Sequence, residues 1–452
     1  MHTLSKLRAG ELAGITRLDL SCGLTNFPDE IFNLADSLEI LNLSGNDLSS
    51  LPDNLPKLHK LRVIFCTDNL FTALPEVLGQ CLRLEMVGFK ANKINAVSEK
   101  SLPKKLRWLI LTDNKITELP IALGSCIDLQ KLMLSGNQLQ TLPVEMAACK
   151  RLELLRISAN DFTALPEWLL SLPKLTWLAY AGNPFSDAYE TAVIAEQKIT
   201  VIDWSDIELH QSLGEGASGI IYRANYLLKD QSLPVAVKIF KGNLTSDGLP
   251  RSEKAASIAV SGHFGLIPII GKIVNHPQNA SGLVMALIES NFVNLAQPPS
   301  LKSCTRDIYS AERCFTLAQV LSIALNIASV AKHLHAKAVM HGDLYAHNIL
   351  WNEQNESLLG DFGAASFLPL HNKYLAENIQ RLEVRAFACL LEELLQYCDS
   401  SSEMQPIFDS MSDLQKICAQ REVAQRPLFI EIESILMALE TQVNYDSLRI
   451  SS

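Results

Sequence analysis

The sequence predicts an α/β repeat solenoid followed by a two-lobed α+β domain, on three observations. An apolar residue returns about every 23 residues through the first 185. The period stops after Phe185. Beyond it, a glycine-rich turn, a lysine in an apolar strand and two aspartate-bearing triplets follow in order. These features place the solenoid at 1–185, a linker or solenoid cap at 186–206 and the second domain at 207–445.

The chain has 452 residues, 48% of them hydrophobic and 19% charged, enough apolar material for more than one core. A formal net charge of −10 argues against a phosphate-backbone partner, so no nucleic acid is expected. The ten cysteines are scattered from Cys22 to Cys418 without a CxxC pair, and read as small buried hydrophobes rather than disulfides. The first ten residues lack the apolar stretch of a signal peptide. The most apolar stretch, 317–330, is interrupted by Gln319, Ser322, Asn326 and Ser329, and reads as a buried helix. A membrane span needs about 20 largely apolar residues. The expectation is no membrane span and one shared compartment, the cytoplasm, with a secreted effector as the open alternative.

The repeats carry the first domain. Leu18, Leu41, Ile64, Val87, Leu109, Leu132, Leu155 and Leu178 fall at equivalent places, 23 residues apart except for one step of 22. Two residues after each stands another of apolar type, from Leu20 to Tyr180. Three further on comes an asparagine, at 46, 69, 92, 114, 137, 160 and 183. Alternating apolar residues on a short strand point to one side, here the solenoid interior. The asparagine amide suits backbone groups left unpaired where the chain turns inward. Leu-Pro pairs at Pro52, Pro75, Pro120, Pro143 and Pro166 then fix the return. This LxxLxLxxN pattern resembles the leucine-rich repeat family over roughly 1–185.

Strand residues between the inward leucines face the concave side of a solenoid. Phe65, Met86, Trp108, Met133 and Trp177 are among them, giving an apolar stripe with two tryptophans. Such a stripe reads as a protein-contact face, for a protein substrate or partner or for the chain's own second domain. Singly exposed hydrophobes are the plainer alternative.

The second domain opens with Leu213-Gly214-Glu215-Gly216-Ala217-Ser218-Gly219-Ile220-Ile221 between β-prone runs, as a hairpin over phosphates requires. Val235-Ala236-Val237-Lys238 follows, its lysine nineteen residues beyond Gly219. A lysine in an apolar strand is costly to bury without a charged partner. His341-Gly342-Asp343 comes next, with Asn348 five residues after Asp343, and then Asp361-Phe362-Gly363. In this order the elements resemble the protein kinase family. The whole chain is thus similar to cytoplasmic, bacterial-type leucine-rich repeat kinases. Its fold class becomes an α/β leucine-rich repeat solenoid plus an α+β bilobal protein-kinase-like domain.

The resemblance implies ATP and Mg²⁺, or Mn²⁺, as cofactors. Gly214, Gly216 and Gly219 would cover the phosphates, with Ile221 beneath. Lys238 would hold the α- and β-phosphates and pair with a helix glutamate. Glu253 is the candidate; a solvated helix carboxylate is its alternative. Asp343 would accept the proton of the attacking hydroxyl, and Asn348 and Asp361 would bind the metal. Met285 would be the gatekeeper, with backbone groups of Ala286 and Ile288 meeting adenine.

Three departures qualify this. Gly342 replaces the family's arginine, implying that activation-loop phosphorylation is not the on-switch. Tyr345 replaces a lysine, and His347 stands where many tyrosine kinases carry an arginine; a protonated His347 could substitute in part. Serine/threonine specificity is the first choice, with tyrosine open. The segment after Gly363 is short, the central helix is expected to begin near Glu383, and Ala376-Glu377 is the only remnant of an Ala-Pro-Glu. Arg426-Pro427 does match the family. The loop 297–313, with Arg306, is either a peptide-docking surface or a structural insertion. Two other functions stay open: a small-molecule kinase of the aminoglycoside or choline phosphotransferase type, and a non-catalytic scaffold.

Overall fold

The computed structural model describes residues 2–196, 198–216, 218–229, 231–399 and 404–450, with side chains at 188 and 444–450 left out. Ala217 of the glycine-rich turn therefore lies outside the described residues. Two compact units emerge, one of residues up to 175 with 183–185, the other of 176–182 with 186 onward.

The first unit starts with helix α1 (Leu4–Arg8), whose Lys6 amide donates to the Thr3 hydroxyl. Seven short strands then pair in parallel: β1 (Arg17–Asp19), β2 (Ile40–Asn42), β3 (Val63–Phe65), β4 (Met86–Gly88), β5 (Trp108–Ile110), β6 (Lys131–Met133) and β7 (Leu154–Arg156). Their central residues, Leu18 to Leu155, are in register and fully buried. Short 3₁₀ segments bring the chain back, several entered through the prolines of the Leu-Pro pairs, as at Pro120 and Pro143. The asparagines act as expected from their position. Asn137 accepts from Ile116 N at 3.0 Å and donates to Leu111 O and Leu134 O at 2.9 Å. Each amide therefore ties its own repeat to the one before.

The predicted contact stripe is corrected in part. Met86 (1% exposed), Met133 (8%) and Trp177 (2%) are buried, while Phe65 and Trp108 are only half-buried. Neighbouring strands account for the strand residues, as where the Phe65 ring lies over Gly88 and the Lys131 ammonium sits 4.7 Å from the Trp108 ring. Trp177 is instead covered by the Tyr345 ring, the contact within the chain that the sequence kept as its alternative. The most exposed large apolar side chains of this unit are Leu82, Ile121, Ile127 and Val144; Ile121 and Val144 open 3₁₀ segments, Leu82 and Ile127 follow them, and all four lie off the strands.

The second unit begins earlier than the sequence suggests. Strand β8 (Trp177–Ala179), the last of the repeat series, clusters with it. The stretch 186–206, expected as a linker or solenoid cap, holds regular structure. Helix α2 (Pro184–Glu196) runs into β9 (Val201–Asp203), which pairs in parallel with a strand of the second unit's sheet through Val201 and Lys272. That sheet adds β10 (Ile207–Glu215), β11 (Gly219–Leu228) and β12 (Gln231–Phe240), then helix α3 (Pro250–Ala259), then β13 (Ile269–Val274) and β14 (Gly282–Ala286). The strand order is β10-β11-β12-β14-β13-β9. Its core holds Ile207, Ala224, Val235, Val237 and Val284, from strands alternating toward one face.

The rest is mostly helical: α4 (Leu317–Ala336), α5 (Lys373–Gln396), α6 (Gln405–Cys418) and α7 (Phe429–Ile450). Thr316 and Gln319 form a reciprocal capping box that starts α4. By length and composition α4 alone among the described helices could cross a membrane, yet Leu321, Ile323 and Ile327 are buried as core. α5 begins ten residues before the expected Glu383, because Asn372 caps it by accepting from Leu375 N at 3.0 Å. Ala376 and Glu377 thus lie inside a helix, Glu377 pairing with its helical neighbour Arg381 at 3.5 Å.

Candidate active site

Antiparallel pairing of β11 with β12 sets Ile221 opposite Lys238. The turn between β10 and β11 closes through Gly216 N donating to Gly219 O at 2.9 Å. Its glycines differ in purpose. A Cβ at Gly219 would lie 2.4 Å from Ile239 O, so no side chain fits there. A Cβ at Gly214 or Gly216 would meet nothing within 4 Å, so open space lies beside both.

Pro250 opens α3 and Glu253 lies in its first turn. Lys238 Nζ and Glu253 Oε1 form an ion pair, at 12% and 4% side-chain exposure. Glu253 is no solvated carboxylate. Burial raises its pKa, Lys238 opposes that, and the charge of Asp361 adds to it. One cavity is lined by Gly216, Ser218, Lys238, Glu253, Met285 and Asp361. A second, beside it, is lined by Ile221, Ala236, Met285, Ala286, Ile288 and Leu350. The Ala286 N–H is committed to Pro268 O at 2.9 Å.

The loop after α4 places the aspartates. Asn348 Nδ2 donates to both Asp343 O and Asp343 Oδ2 at 2.9 Å. Gly360 N donates to Asn348 O at 2.9 Å, bringing the Asp361 turn alongside. Asp361 has φ +53°, an uncommon backbone state for a residue other than glycine, and accepts from Gly363 N at 3.1 Å. The buried His341 links the two turns: Nε2 bonds Gly360 O at 2.9 Å while Nδ1 accepts from Asp343 N at 3.2 Å. Among the described residues no group of three His, Cys, Asp or Glu could hold a metal unaided. Asn348 and Asp361 still suit a hard divalent ion, which needs few protein oxygens when phosphate supplies others.

Three supporting contacts escaped the sequence. Glu383, fully buried, accepts from Gly342 N at 2.7 Å and His341 N at 3.3 Å, and bonds His335 Nε2 at 2.8 Å. Burial would raise its pKa, but His335 and these amides hold it below the usual carboxylate range. His347 Nδ1 bonds Asp307 Oδ1 at 2.7 Å, and His347 N donates to Asp307 Oδ2 at 3.0 Å. The Tyr345 ring does not stand in for a lysine: it stacks on Trp177, centroids 4.1 Å apart and planes 8° from parallel. Loop 297–313 is anchored on α5. Arg306 pairs with Glu392 and, at 3.0 Å, with Glu393 of α5. The family's late Arg426 is buried; it donates to Gln420 O and Arg381 O, and burial lowers its pKa to about 10.

Comparison with known proteins agrees with this architecture. Residues 207–404 match the model of the protein tyrosine and serine/threonine kinase family. Residues 37–58 and 104–162 match leucine-rich repeat models. The serine/threonine-protein kinase-transforming protein mos of Moloney murine sarcoma virus (strain ts110) is 26% identical over 172 residues, 37% of this chain and 47% of that protein. The mouse proto-oncogene serine/threonine-protein kinase mos is 26% identical, over 37% of this chain and 48% of that protein. Human serine/threonine-protein kinase TNNI3K is 27% identical, over 36% of this chain and 18% of that protein. The chain spans about half the length of the mos relatives it matches, or less. A solved leucine-rich repeat protein of Leptospira interrogans is 29% identical at a TM-score of 0.37, covering 40% of this chain and 47% of that one.

Proposed function

We propose that this chain, which joins leucine-rich repeats to a protein kinase domain, transfers the γ-phosphate of ATP to a serine or threonine hydroxyl of a protein. The observation that carries the reading is the formed Lys238–Glu253 pair lining one cavity with Asp361. A buried lysine is costly, and a phosphate-binding role accounts for its retention beside an open glycine turn. Lys238 orients the nucleotide phosphates, while Asp343 accepts the proton of the incoming hydroxyl. The Asn348 amide fixes the Asp343 carboxylate for that task. Asn348 and Asp361 would hold magnesium, or manganese, which would supply positive charge against the phosphates. His347, held by Asp307, offers positive charge close to Asp343 and Asp361. The repeats recruit a protein partner. The cytoplasm is the proposed compartment, in line with ten scattered cysteines and no CxxC pair.

The test is phosphate transfer from labelled Mg-ATP by the wild type and by Asp343→Ala, with dephosphorylated casein or small aminoalcohols as acceptors. Asp343→Ala should keep nucleotide binding and lose roughly 10²–10⁴-fold in turnover. Label on casein seryl or threonyl groups only with the wild type supports the reading. Equal transfer by both proteins, or label on the aminoalcohols alone, overturns it.

A further inference from the structure

Strand β8 and helix α2 grip both halves of the site. The Trp177 indole N–H donates to Leu344 O at 3.1 Å, one residue from Asp343. Its ring covers Tyr345, which in turn lies 5.0 Å from the His347 ring. The next residue, Leu178, brings its carbonyl to the place a Gly342 side chain would occupy: a Cβ there would be 2.8 Å from it. Tyr180 reaches the segment after Gly363, its N–H donating to Ser366 Oγ at 3.0 Å and its hydroxyl to Phe367 O at 3.1 Å. On α2, Asp187 pairs with Arg251 at 2.8 Å, and the buried Glu190 accepts from Ser252 Oγ at 2.5 Å, next to Glu253. The buried Trp177 is in the strand that a repeat would ordinarily present to a partner, and the buried Tyr180 follows directly after it.

We propose that Trp177 is a positioning residue for phosphoryl transfer: the last repeat strand, built into the kinase unit, holds the loop carrying Asp343, His347 and Asn348 in working geometry. This rests on the kinase reading. The hold is a packing contact made by the chain itself, so the loop needs no phosphate to order it. A loop released from the Trp177 stack keeps its residues but loses their alignment, and small misplacements of reacting groups cost up to about 10²-fold in rate.

The experiment uses the full chain as wild type, Trp177→Ala and Trp177→Phe, with Mg-ATP and dephosphorylated casein. It also follows amide hydrogen exchange across 341–349. Trp177→Ala should lower kcat by roughly 10–100-fold, with KM for ATP within about threefold. Protection should fall at 341–349 while α4 stays protected. Trp177→Phe, which keeps a stacking ring but loses the bond to Leu344, should fall between the two in both readouts. It decides the matter alone if the alanine variant does not fold. Wild-type kcat within about twofold and unchanged protection in either variant would overturn the proposal. The exchange readout needs no turnover, so a chain inert toward casein would count against the kinase reading alone.

Discussion

Gly342 has φ +73°, and a Cβ added there would lie 2.6 Å from Ala364 O and 2.8 Å from Leu178 O. Its own N–H is held by Glu383 Oε1 at 2.7 Å. Three constraints thus meet at one residue: a left-handed backbone, two crowding carbonyls and a committed amide. Restoring the family's residue should therefore harm this chain. Gly342→Arg is expected to cost about 2–4 kcal/mol of stability from strain and overpacking, and to abolish transfer. Thermal unfolding and a casein assay check this; an active variant as stable as wild type would mean the space is not closed. The glycine itself was legible in the sequence as a departure from the motif. What fills the missing side chain's place was not, because Leu178 lies more than 160 residues away and no local pattern links the two.

At the scale of elements, periodic and contiguous features were legible and cross-chain supports were not. The strands of the repeats, the glycine turn, the Lys238 strand and the Asp343 loop each announce themselves within a short window. Loop 297–313 does not, since its role depends on what it meets. It carries Arg306 to α5 and Asp307 to His347. Burial disfavours the His347 imidazolium, but the Asp307 bond and the charges of Asp307, Asp343 and Asp361 outweigh it, so its pKa is raised. A histidine raised in this way adds stability fully present below its unfolded value, near 6.5, and lost as pH rises through the folded value. Asp307→Asn removes the largest raising influence. It should pull the alkaline limb of the pH–rate profile to lower pH, with a loss of roughly 3–10-fold at pH 7.5 and little at pH 6. A limb that stays in place would remove His347 from the charge-bearing role.

Across the whole molecule, the chain does not pass from one unit to the other once. It enters the second at 176, returns to the first at 183 and leaves it again at 186. Asn183, the last asparagine of the ladder, belongs to the first unit, accepting from Phe162 N at 3.1 Å and donating to Ile157 O at 2.9 Å. Strand β8 is therefore tethered at both ends to repeat residues, and melting the repeats frees the tether of a strand that the kinase unit uses. Repeat stability is close to a sum of nearest-neighbour terms, so a lesion in mid-ladder should propagate to the end. Asn137→Ala strips three buried backbone groups of their partner. Its expected cost is about 2–3 kcal/mol, or roughly 4–12 °C in the midpoint of the first unit. Thermal inactivation of phosphate transfer should shift down with it, although Asn137 lies far in sequence from every catalytic residue and kcat at 25 °C stays near wild type. Paired measurements of circular dichroism and residual activity against temperature decide the point. Repeats that melt early while activity survives to the wild-type temperature would mean that β8 keeps its place in the kinase unit without its tethers.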